Sequence, residues 1–97
     1  MANTVAGGLM GLVQLGRARL AMALPRHRRL LRSTKDRQLD DLFEAYARAS
    51  TALDTLMREL PRPEIEIVQY HQRCLDLQAE VVTLLAQHQS VSGEPKV

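Results

Sequence analysis

The stretch EIEIVQYHQRCLDLQAEVVTLLAQHQ, residues 64–89, decides the fold. Its apolar residues recur every three or four positions, which is the period of an α-helix and not of a strand. They form two seams. One runs through Ile67, Tyr70, Cys74, Leu77, Val81, Leu84 and His88, the other through Ile65, Val68, Gln72, Leu75, Ala79, Val82 and Ala86. A helix apolar on two faces needs two partners.

The preceding segment supplies the first partner. Residues 35–60 carry their own heptad, Leu39, Leu42, Tyr46, Ala49, Leu53, Leu56 and Leu60, widened by Phe43 and Met57. Leu60-Pro61-Arg62-Pro63 cannot continue a helix, and so short a connector makes the two long helices antiparallel neighbours. Ser33-Thr34 offers an N-cap for the first of them, with Asp36 at N3. Asp36, Asp40 and Asp41 fall in its early turns, where the helix dipole favours acids. The second long helix is expected over 64–88. Residues 89–97, with Ser90, Gly93 and Pro95, read as a flexible tail.

Upstream, Val5 to Met22 can form an amphipathic helix with Val5, Leu9, Leu12 or Val13, Leu20 and Leu24 broadly on one side. Gly7, Gly8, Gly11 and Gly16 each cost about 1 kcal/mol relative to alanine there. Leu24-Pro25 should end this helix. The run Arg26-His27-Arg28-Arg29-Leu30-Leu31-Arg32 is a short helical turn or a mobile arm. The expectation is an all-α single domain over 1–97: a long antiparallel helical hairpin, coiled-coil-like, with a shorter N-terminal helix within the basic segment 1–32. Only about 55 residues read as strong packed helix, and small cores are marginal alone. That favours a dimer or a bound partner. The second seam, with Ile65, Val68, Leu75 and Val82, is then covered either by the N-terminal helix or by another chain.

Charge is unevenly spread. Residues 1–35 hold seven Lys/Arg and no acid, whereas residues 36–97 hold six Lys/Arg and all eleven acids, a net of −5. Such asymmetry marks a basic arm on an acidic core. Arg28, Arg29 and Arg32 are candidates for steering a partner by charge. The same arm could contact phosphates, so a small nucleic-acid-binding protein is the alternative. It lacks interleaved aromatics for base stacking. A helical-hairpin chaperone or adaptor is a third reading.

Cys74 is the only cysteine, which excludes an intrachain disulfide and suits a cytoplasmic location. Positive charge follows the first apolar stretch instead of preceding it, unlike a secretory signal. Arginines and glycines interrupt that stretch too often for a membrane span. His71 and Cys74 alone do not make a metal site. No phosphate loop, nucleophile elbow or other catalytic constellation is visible, so the expectation is a non-enzymatic protein without cofactor.

The order of landmarks resembles the TraM-type quorum-sensing antiactivators over about residues 40–97. The landmarks are Leu24-Pro25 before the long helices, then Arg48, Asp54, Leu56 and Leu60-Pro61, then Tyr70, Asp76 and Ala79, and Pro95-Lys96-Val97 at the end. The connector Pro61-Arg62-Pro63 is shorter than the family's loop, and the basic run at 26–35 is not a family landmark. The resemblance implies a cytoplasmic homodimer that binds a LuxR-type transcription factor and keeps it off its promoter, with Tyr70 as a partner contact. The expected partner-binding residues are thus Val68, Tyr70, Leu75 and Val82 with Arg28, Arg29 and Arg32.

Overall fold

A computed structural model describes residues 2–93, with side chains described for 11–89. Among the described residues every regular element is a helix. It consists of α1 (Ala2–Ala23), a 3-10 turn (Pro25–His27), α2 (Arg28–Ser33), α3 (Arg37–Arg58) and α4 (Glu64–Gly93). The prolines set the breaks. Leu24-Pro25 stops α1, and the Arg58–Glu64 connector holds Pro61 and Pro63, with the Leu60–Pro61 peptide cis. The basic run is helical: the 3-10 turn leads into α2, which docks Leu31 into the core with no exposed surface.

α3 is the central element and packs on both α1 and α4. Its buried residues Leu39, Phe43, Tyr46, Ala47, Ala49 and Ser50 cover a wide arc, because two neighbours must be served. Two side-chain bonds fix the direction of α4. His88 Nε2 lies 2.7 Å from Asp36 Oδ2, and Gln78 Nε2 donates to the Tyr46 hydroxyl at 2.9 Å. Early α3 thus faces late α4, and the two run antiparallel. One cluster holds Leu20, Leu31, Leu39, Phe43, Cys74, Leu77, Val81 and Leu85. Each fully buried leucine, valine or phenylalanine contributes about 1.5–3 kcal/mol.

The α1–α3 contact depends on Gly16. A Cβ built there would lie 1.7 Å from the Phe43 carbonyl oxygen. No side chain fits, so the glycine lets the two backbones touch. Helix propensity counts this glycine only as a cost; in the fold it is the notch that seats α1. Beside it, Arg19 Nη1 donates to Ser50 Oγ at 2.9 Å and pairs with Asp54 Oδ2 at 3.1 Å. The expected α1 face at Val5 and Leu9 lies outside the residues whose side chains are described.

Several expectations need correction. The cap of α3 is Asp36, not Ser33 or Thr34: its Oδ1 accepts from the backbone N–H of Gln38 (2.7 Å) and of Leu39 (3.2 Å). Ser33 instead ends α2 and donates to the Arg29 carbonyl. Leu60 is not a core residue. α3 ends at Arg58, and Leu60 is 89% exposed in the connector. Tyr70, expected in the core-facing seam, is exposed. At the other end of α4 the core residue is Leu85, with Leu84 only partly buried against it. Cys74 to Leu85 is an 11-residue spacing, closer to the pitch of a straight helix than a heptad is, so the coiled-coil phase drifts off the core at both ends. α4 continues to Gly93 instead of stopping at His88. Of the expected tail, residues 94–97 lie outside the described residues, as does the landmark Pro95-Lys96-Val97.

Candidate docking surface

The second seam of α4 is open. Ile65, Val68 and Leu75 expose 75%, 65% and 43% of their surface. Ala79 and Ala86 are exposed as well, and Val82 is half-buried. α1, the neighbour expected to cover this stripe, is seated on α3 by the Gly16 notch and is not a major neighbour of α4. An apolar stripe left in water on a small chain is the usual mark of an interaction face. Tyr70 adds an exposed aromatic near the connector end of the same helix.

Beyond Val82 and Ala86 the seam reaches Gln89, one heptad after Val82. Gln89 lines a cleft of about 800 Å³ whose other walls are Pro25, Arg26, Arg28, Arg29, Leu30, Arg32 and Ser33. Arg28 and Arg32, one helical turn apart on α2, also line a second cleft with Arg17 and the apolar Ala18, Ala21 and Met22. Among the described residues no acid lines either cleft. Met22 is 80% exposed at this corner.

The seven N-terminal basic residues, which the sequence presents as one arm, thus divide into groups. Arg17 and Arg19 are structural. The Arg17 guanidinium sits 5.2 Å from the centre of the Phe43 ring and 3.9 Å from Asp40. Arg19 is held by Ser50 and Asp54. Arg26, Arg28, Arg29, Arg32 and Lys35 are exposed and form no ion pair with a described residue. A different groove borders the stripe at Ala79: it is lined by Gln38, Asp41, Glu80, Thr83 and Gln87 around Leu42 and Leu84.

Two titratable groups are displaced from their ordinary range. The hydrogen bond from His88, aided by the N–H groups of Leu39 and Gln38, holds the Asp36 carboxyl below it. Burial, together with the negative Asp54, pushes the Cys74 thiol up. A raised thiol pKa suits a core residue and not a nucleophile. His71 is exposed whereas Cys74 is buried, so the two do not share a site. Among the described residues no three His, Cys, Asp or Glu side chains gather where they could hold a metal ion. No described helix is long and apolar enough to cross a membrane.

The structure therefore places Val68, Leu75 and Val82 on one stripe of α4 and Arg28, Arg29 and Arg32 on the corner where that stripe ends. Residue counting did not find Gln89 as the link between them. The heptad step from Val82 points to it, but only the placement of α2 makes that step meaningful. Comparison of the chain with protein families, with characterised proteins and with solved structures finds no match.

Proposed function

We propose that this protein is a non-enzymatic inhibitor that binds another protein, namely a cytoplasmic antiactivator that sequesters a LuxR-type transcription factor and blocks its DNA binding. The observation that supports this reading is the open apolar stripe of α4, with Ile65, Val68 and Leu75 in water. In this reading α3 and α4 act as one long helical hairpin. The stripe is the regulator-binding face, Tyr70 is a further contact from the other seam of α4, and Arg28, Arg29 and Arg32 steer the regulator. The resemblance also implies a homodimer, for which the stripe offers a contact while no regulator is bound.

The test is a gel-shift assay with a LuxR-type regulator from the same genome and its promoter. Added protein should release the DNA, and Leu75→Asp should abolish release while the helical circular dichroism persists. An unaffected promoter complex at saturating protein would sink the reading. Sedimentation of the chain alone tests the dimer.

The paired clefts on α2 favour one other reading, a nucleic-acid contact through Arg26, Arg28, Arg29 and Arg32. It predicts duplex binding that weakens steeply with salt. Deleting residues 1–35 is a poor test, because Leu20 and Leu31 belong to the core. An Arg28→Glu/Arg32→Glu double variant is the better one.

A further inference from the structure

α4 links the stripe to the arginine corner through Gln89. Following α4 by heptads from Val68 through Leu75 and Val82 leads to Gln89, and Gln89 is a wall of the arginine cleft. From Val68 to Gln89 the rise is roughly 32 Å, the length of a helix of about 21 residues. An occupant of this surface meets apolar side chains along most of its length and, at one end, four arginines with no ion-pair partner among the described residues.

We propose that the partner engages this surface with an amphipathic helix whose apolar face lies on the stripe and whose acidic end enters the arginine cleft. This rests on the reading of the stripe as a regulator-docking face and narrows it. A surface that reads DNA phosphates is basic, and Arg26, Arg28, Arg29 and Arg32 repel it. The regulator is therefore held by an acidic helix outside its phosphate-reading face, and DNA is lost because that helix is sequestered or the regulator is reoriented. Charge complementarity supports this occupant: among the described residues neither cleft has an acidic lining residue, and none of the four arginines has an ion-pair partner. Apolar anchors with charges at one end also fix the direction in which a bound helix lies.

The probe is a synthetic helix of about 22 residues, matched to that length, with leucines at heptad spacing and glutamates in one terminal turn. Its twin carries lysines in place of the glutamates. Binding to the full chain is read by fluorescence anisotropy. The acidic peptide should bind, and the basic twin should bind at least about tenfold more weakly. Arg28→Glu/Arg32→Glu should reverse that order, and Leu75→Asp should weaken both peptides. Val68→Asp, at a more exposed position, serves if Leu75→Asp unfolds the chain.

Equal binding of the two peptides, or no binding of either, overturns the proposal. So does displacement of the acidic peptide by duplex DNA or by phosphatidylserine vesicles, which would assign the corner to phosphates. Self-association that the acidic peptide cannot displace would assign the stripe to a second copy. Peptide binding without any effect on the LuxR-type regulator would leave this surface chemistry standing while the antiactivator reading falls. Regulator release without peptide binding would do the reverse.

Discussion

The α1–α3 contact and the outward stripe of α4 use similar residues to opposite ends. Both are rich in small and aliphatic side chains. In the first, Gly16 removes the last side chain between two backbones, so α1 seats on Phe43 with Leu20 and Ala21 buried beside it. In the second, Ile65, Val68 and Leu75 stand in water at the same helical spacing. Close approach separates them, and it is decided by one glycine and by which neighbour claims α1. Apolar periodicity says only that a face wants covering. It does not say which element of the same chain can get close enough to cover it.

Substitutions should separate the two regions by size of effect. Phe43→Ala, in the centre of the closed region, should cost about 3–5 kcal/mol, read as a lower urea midpoint or loss of the cooperative transition. Gly16→Ala comes next, at about 1–3 kcal/mol from overpacking against backbone that cannot yield. A Gly16→Ala protein as stable as the parent would show that α1 is not seated by the notch.

Acid should act on neither region but on the junction of α3 and α4. The Asp36 pKa is lowered in the fold from a reference of 3.8, so the unfolded chain takes up its proton first as pH falls. Its contribution is fully present above that reference and is lost as pH falls through the lowered folded value. Asp36→Asn should lower Tm at neutral pH and flatten the pH dependence of Tm below about pH 4. An unchanged acid limb would deny Asp36 this role. The smallest expected effect is Leu75→Asp in the open stripe, within about 0.5 kcal/mol of the parent. A loss of several kcal/mol there would mean that the stripe is covered after all.

Much of the fold is legible in the sequence where proline or strong periodicity speaks. Leu24-Pro25 and Pro61-Arg62-Pro63 place the breaks, and Cys74, Leu77 and Val81 place the core face of α4. The rest depends on geometry that spacing does not encode. Leu85 replaces Leu84 because a nearly straight helix drifts against a heptad by about 20° per repeat. Asp36 caps α3 in place of Ser33 because α2 has already claimed Ser33 as its last residue. Gly16 reads as a defect until Phe43 is set against it. The candidate surface was half visible: Val68, Leu75, Val82 and the arginines could each be named, but their adjacency through Gln89 needed α2 in place.

The Asp36 carboxylate has a consequence of its own. One oxygen holds the amides of Gln38 and Leu39, and the other meets His88, fifty-two positions away in the chain. The start of α3 and the late turns of α4 therefore loosen together. Hydrogen exchange at those two amides becomes a local gauge of whether α4 is docked, and a partner that pulls α4 away would register there first, far from the stripe it grips.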